Sequence, residues 1–162
     1  ATPLQVADVI NAVAMDGVIN RPHLFKQMET PDGKVIRKAK TEILKKVPVS
    51  AQTLGILKEA LNQVIHGYGG TGWRARIRGI SLCGKTGTSE NPHGRPHAWF
   101  TVYGPKEAPE VSVTILIENG EEGGVTAAPM AKQILELYFQ KKMGLYKKKN
   151  PQAELGATPT IR

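Results

Sequence analysis

Apolar residues in the first fourteen positions recur at spacings of three and four, at Val6, Val9, Ile10, Val13 and Ala14. That period places them on one stripe of an α-helix. Thr2 suits the N-cap, Pro3 the first helical position, and Gln5 the position from which a capping-box side chain reaches back. Gly17 suits the residue that closes the helix. The pattern then changes. Val18-Ile19, His23-Leu24-Phe25 and Val35-Ile36 read as extended, and Glu29-Thr30-Pro31-Asp32-Gly33 is turn chemistry. Interleaved Lys26, Lys34, Arg37 and Lys38 predict a small exposed hairpin within residues 18–40. Ser50 is a second N-cap, for a helix from Ala51 to His66 with Leu54, Leu57, Leu61, Val64 and Ile65 on one face and Gly67 at its end. A flexible loop, Tyr68 to Gly72, follows.

Three strands are predicted next, within Ile77–Thr88, at Ala98–Tyr103 and at Val111–Ile117. Their connections suit antiparallel neighbours. A last helix is expected from about Ala127 to Gln140, with Ala131, Ile134, Leu135 and Tyr138 on one side. The order is helix, hairpin, helix, three strands, helix. That is α+β, an antiparallel sheet flanked by helices.

The formal charge of +8 on 162 residues invites a nucleic-acid reading, but its placement weakens it. Residues 141–162 hold six Lys or Arg against one Glu, leaving +3 on residues 1–140. With Lys141, Lys142, Lys147, Lys148 and Lys149 and few apolar residues, 141–162 is expected to be a basic, disordered tail behind a body of 1–140. No nucleic-acid partner is expected. The single cysteine, Cys83, excludes an internal disulfide and a multi-cysteine zinc site. His93, His97 and Cys83 lack metal-ligand spacing, so no metal or other cofactor is assigned.

Three motifs compete for the middle of the chain. Gly79-Ile80-Ser81-Leu82-Cys83-Gly84-Lys85-Thr86 spells the phosphate-binding loop G-x-x-x-x-G-K-S/T. That motif works only when a helix begins directly after Lys-Thr, and here Gly87, Pro92 and Gly94 follow. Gly67-Tyr68-Gly69-Gly70-Thr71-Gly72 spells G-x-G-x-x-G, but it follows a helix where a dinucleotide site needs a strand. The third reading is Lys85-Thr86-Gly87-Thr88 on an edge strand. The Lys supplies positive charge for a substrate carboxylate, and the Thr hydroxyls donate to it. Gly87 lets another backbone approach, and the Thr88 N–H is available to a developing oxyanion. Alone, K-T-G is a weak signal, and a polar edge strand explains it equally.

The wider context adds to it. Cys83-Gly84-Lys85-Thr86-Gly87-Thr88-Ser89-Glu90-Asn91-Pro92-His93-Gly94, then His97-Ala98-Trp99-Phe100, resembles penicillin-binding transpeptidases, nearest the elongation-type class B group. So do Pro109-Glu110-Val111, Ile117-Glu118-Asn119-Gly120, Gly123-Gly124, Ala127-Ala128-Pro129-Met130 and the opening Thr2-Pro3-Leu4-Gln5-Val6-Ala7. The resemblance covers roughly residues 1–140. It implies a sheet beside a helical subdomain with the active site between them. It also implies a serine that attacks D-Ala–D-Ala stem peptides, releases D-Ala and passes the acyl group to an amine, and that β-lactams acylate. Lys85, Thr86, Gly87 and Thr88 would bind and polarise substrate. His93 and His97 would line the groove, or else hold the loop by hydrogen bonds. Stem peptides, β-lactams, the remainder of a longer chain and the elongation machinery are the implied partners. The bacterial envelope, outside the cytoplasm and with a membrane anchor beyond these residues, is the implied location.

The family pattern also includes S-x-x-K and an upstream S-x-N. The serines Ser50, Ser81, Ser89 and Ser112 are followed three places on by Thr53, Gly84, Pro92 and Ile115, so no S-x-x-K is present. Ser89-Glu90-Asn91 lies after K-T-G rather than before it, and reads as coincidence. The nucleophile is therefore expected outside this sequence, and the abrupt helical start reads as cut from something longer. A carboxypeptidase, β-lactamase or β-lactam sensor of the same superfamily, a nucleotide-binding module and a tail-driven basic binding module are the alternatives. Trp99 is expected in the core, and Tyr68 and Trp73 near substrate or a neighbouring subdomain.

Overall fold

A computed structural model describes residues 1–144. Its first helix, α1 (Pro3–Ala14), begins as predicted. The Thr2 hydroxyl accepts from the Gln5 N–H at 3.3 Å, and the Gln5 side chain accepts from the Thr2 N–H at 2.8 Å. Asp16 and Gly17, both at positive φ, turn the chain out of the helix. The buried positions are Ile10, Ala12 and Ala14, while Val9 of the expected stripe is exposed.

The expected hairpin is a longer ribbon. β1 (Val18–Asn20) pairs antiparallel with β4 (Ile43–Lys46), and β2 (Gln27–Glu29) pairs with β3 (Val35–Lys38) across the Thr30–Gly33 turn. His23-Leu24-Phe25 is not a strand, and the His23 ring nitrogen Nδ1 bonds the Phe25 carbonyl instead. β4 was not predicted.

α2 (Ala51–His66) starts at Ser50, whose hydroxyl accepts from the Thr53 N–H at 3.1 Å. A one-turn 3-10 helix, Trp73–Ala75, follows the glycine loop. β5 (Cys83–Ser89), β6 (His97–Gly104) and β7 (Val111–Ile117) then form an antiparallel sheet in the order β5-β6-β7. β5 begins six residues later than the start of the predicted window. Ile77 and Ile80 make only an isolated bridge.

Directly opposed residues in such a sheet share a face. Thr86 faces Phe100 and then Ile115, while Lys85 faces Thr101 and then Thr114. On the first face Ala98, Phe100 and Val102 pack with Ile65 of α2 and with Ala127, Ala128, Ala131, Leu135 and Phe139 of α3 (Ala127–Lys142). On the second, Cys83 and Tyr103 pack with Ile10 and Ala14 of α1. The sheet therefore lies between α1 and α3, with α2 along the start of its β5 side. The buried stripe of α3 is Ala131-Leu135-Phe139. The predicted Ile134 and Tyr138 are 50% and 38% exposed. α3 runs two residues past the expected body boundary, through Lys141 and Lys142, and the Lys142 ammonium meets Glu110 at 2.5 Å. The rest of the expected tail, from 145, lies outside the described residues.

Candidate active-site strand

α2 holds the start of β5 through polar contacts. The Asn62 amide donates to the Leu82 carbonyl at 2.9 Å and to the Ser81 hydroxyl at 3.0 Å. The Leu82 N–H donates to His66 Nε2 at 3.1 Å. The buried Cys83 thiol points at the Lys58 carbonyl, 3.3 Å away. Burial pushes both the Cys83 thiol and the neighbouring Tyr103 phenol upward in pKa, so neither supplies a nucleophile near neutral pH. All these contacts end at Cys83. Beyond it, Lys85 to Thr88 run along the outer strand of the sheet, where among the described residues no strand covers the free edge.

The strand passes straight through Lys85-Thr86, which overturns the phosphate-loop reading: no helix begins there to present its N-terminus. The G-x-G-x-x-G segment runs from α2 into the 3-10 turn, with no strand before it.

The alternation of β5 separates the K-T-G residues. Thr86 and Thr88 share the α3 face, and Lys85 and Gly87 share the other. Thr86 and Thr88 line a concavity of about 550 Å³ whose other walls are Gly69–Thr71, Trp73, Arg74 and the Glu122–Val125 loop. The Thr86 and Thr71 hydroxyls are hydrogen-bonded at 2.9 Å. The Arg74 guanidinium lies 4.8 Å over the Trp73 ring, and both residues are exposed. The Lys85 ammonium donates to the Thr86 carbonyl at 2.8 Å, so it lies along the strand rather than in the concavity.

Glycines allow this layering. A Cβ on Gly123 would fall 1.9 Å from the Trp99 carbonyl oxygen and 2.6 Å from that of Gly87. One on Gly124 would fall 2.3 Å from the Thr71 oxygen. The loop before α3 thus lies directly against β5 and β6, and side chains there would push it away. A Cβ on Gly87 would meet the Trp99 Cβ at 3.1 Å, so the close approach comes first from the neighbouring strand.

His93 and His97 do not border this concavity. His97 Nδ1 accepts the Asn119 N–H at 3.0 Å, which ties the start of β6 to the loop after β7. His93 is exposed, with its N–H on the Asn91 side chain at 3.0 Å. Trp99 is half-buried rather than in the core, and its indole N–H donates to the Ser89 hydroxyl at 3.1 Å. Ser89 and Asn91 therefore have local structural roles. Tyr68 is fully exposed. Among the described residues no three His, Cys, Asp or Glu side chains cluster as a metal site would, and no helix is long and apolar enough to cross a membrane. Sequence reasoning missed Thr71, Arg74 and Glu122. The only local signals were the glycines beside them.

Comparison with known proteins agrees with this architecture. Residues 1–136 match the penicillin binding protein transpeptidase domain. The chain is 35% identical over 144 residues to the peptidoglycan D,D-transpeptidase PbpA of Mycolicibacterium smegmatis, covering 81% of this chain and 28% of that one. It is similar to the crystal structure of the D,D-transpeptidase domain of a peptidoglycan glycosyltransferase from Eggerthella lenta, with a TM-score of 0.74 and 37% identity over 90% of this chain and 33% of that chain. It is also similar to the imipenem acyl-enzyme complex of penicillin-binding protein A from M. tuberculosis, with a TM-score of 0.72 and 29% identity over 86% of this chain and 31% of that one. It spans between a quarter and a third of the length of these relatives. The chain belongs to the penicillin-binding protein transpeptidase domain family.

Proposed function

We propose that these residues supply the substrate-binding strand of an elongation-type peptidoglycan D,D-transpeptidase whose nucleophilic serine lies outside them. The serine attacks the carbonyl of the penultimate D-Ala in a stem peptide, and the terminal D-Ala leaves with a proton on its amine. An amine from a neighbouring stem peptide then takes the acyl group and returns the serine. Thr86 and Thr88 donate hydrogen bonds to the substrate carboxylate, Lys85 supplies positive charge beside the serine, and the Thr88 N–H faces the oxyanion. Stem peptides and β-lactams are the ligands, and cell-wall elongation proteins the partners, on the outer side of a bacterial cytoplasmic membrane. The acyl-enzyme complex of the M. tuberculosis relative supports the β-lactam part of this reading. The observation that carries it is the placement of K-T-G on an outer strand whose threonines face an open concavity.

Labelling with a fluorescent penicillin tests it. The 162-residue chain should take no covalent label, whereas a longer protein carrying this sequence together with S-x-x-K should. In that longer protein, Lys85→Ala should slow acylation by more than about tenfold, equivalent to the loss of about 1.4 kcal/mol of transition-state stabilisation. Label on the short chain refutes the claim that the serine lies elsewhere. No label on the longer protein refutes the enzymatic reading, and unchanged kinetics remove Lys85 from the site.

A further inference from the structure

The ribbon between α1 and α2 carries chemistry that the concavity does not use. Residues 18–46 hold eight Lys or Arg against three Asp or Glu, a net +5, so the rest of residues 1–140 is slightly acidic. Of the eight cations only Arg21 pairs with a carboxylate among the described residues, Glu42 at 2.8 Å. Backbone bonds from Arg21 to Glu42 and from Ala39 to Lys26, at 2.7 and 2.8 Å, join the two ladders into one continuous ribbon. Every residue of β3 and β4 is exposed. Leu24 is fully exposed, and Ile36 and Ile43 are 61% and 64% exposed. Among the described residues each ladder has two strands, so each strand keeps one edge without a strand partner there. An uncovered two-stranded ribbon is marginal in water, and its free edges are templates for another strand.

We propose that this ribbon is a docking arm for an acidic, extended peptide segment of a partner protein, which adds to its edge as a third strand. Charge selects an acidic occupant. A second copy of the ribbon is equally positive and is repelled, and residues 145–162 are themselves basic. A polyanion without apolar groups leaves Leu24, Ile36 and Ile43 in water. A lipid surface covers those side chains but leaves the edge N–H and C=O groups unpaired. An extended peptide alternating acidic and apolar residues satisfies the charge, the side chains and the backbone together.

The test uses fluorescein-labelled peptides and the full 162-residue chain. The probes are an acetylated peptide alternating glutamate and valine, its lysine–valine counterpart, a version of the first with two internal prolines, and phosphatidylglycerol vesicles. The glutamate–valine peptide should bind about tenfold or more tightly than the other two peptides, and binding should weaken with salt. Amide hydrogen exchange within β3 or β4 should slow on binding, a readout that needs no variant. Lys38→Glu with Lys45→Glu should abolish binding while circular dichroism stays unchanged. Equal binding of the proline peptide overturns strand addition. Vesicle binding without peptide binding overturns the protein partner in favour of a lipid surface. Absence of both overturns the arm.

Discussion

At the scale of single residues, the sharpest constraint is Gly123. Its missing Cβ would lie 1.9 Å from a backbone oxygen of β6, and backbone has little room to yield. Gly123→Ala should therefore destabilise the chain by about 2–3 kcal/mol, in the range for overpacking a close contact. It should also shift the amide resonances of Gly87 and Thr88, which share the contact. Gly55 provides the opposite case. It lies within α2, and an added Cβ meets nothing within 4 Å. Gly55→Ala should stabilise by roughly 0.5–1 kcal/mol, because alanine is the better helix former. Urea unfolding midpoints of the two variants separate a packing role from a conformational one.

At the scale of elements, the link between α2 and β5 turns on His66. Its Nε2 must be unprotonated to accept the Leu82 N–H, and burial, followed by the positive charge of Arg76, holds the ring below its ordinary value of 6.5. The folded chain then binds fewer protons at this site than the unfolded chain does. Its contribution to stability is complete above about pH 6.5 and is lost as pH falls from there through the lower folded value. His66→Leu should flatten that slope. It should also cost about 1–2 kcal/mol at pH 8, since the buried Leu82 N–H loses its acceptor. Unfolding curves from pH 8 to pH 5 check both effects, and an unchanged slope in the variant assigns the titration to another group.

The same scale shows what could be read from sequence. The cap of α1 and the span of β7 were legible because each rests on neighbours within a few residues. The buried stripe of α3 was legible only at Ala131 and Leu135. Ile134-Leu135 and Tyr138-Phe139 are adjacent apolar pairs, so two stripes one residue apart fit the period equally well, and packing against Phe100 and Val102 selects the second. β4 was missed because Ile43-Leu44 is too short and too closely followed by lysines to show alternation. Its pairing depends on β1, more than twenty residues earlier. K-T-G was legible as a motif. Its division between two faces, and the arrival of Arg74 and Glu122 beside it, came from register and loop packing that no local pattern encodes.

At the scale of the whole molecule, the sheet is covered by α1 and α3, but among the described residues nothing covers the far side of α1. Between α1, α2 and the end of the ribbon lies an apolar groove of about 250 Å³, with Val9, Val13, Val47, Leu54 and Leu57 among its walls. Val9 is 68% and Leu57 41% exposed. Open apolar surface of this kind binds hydrophobic dyes, and trimming it at Val9 and Leu57 costs less than trimming the core, because Val9 is mostly in water and Leu57 is partly so. The 162-residue chain should therefore enhance 1-anilinonaphthalene-8-sulfonate fluorescence at neutral pH while fully folded. Val9→Ser with Leu57→Ser should lower that fluorescence and shift the unfolding midpoint less than a core substitution does. A control, Phe100→Ala, removes a fully buried ring and should instead cost about 3–5 kcal/mol. If the serine pair unfolds the chain as Phe100→Ala does, the groove belongs to the closed core and α1 has no open face. If dye binding is unchanged while the fold persists, the responsible apolar surface lies elsewhere, and the exposed outer side of α3 around Ile134 and Leu137 is the next to substitute.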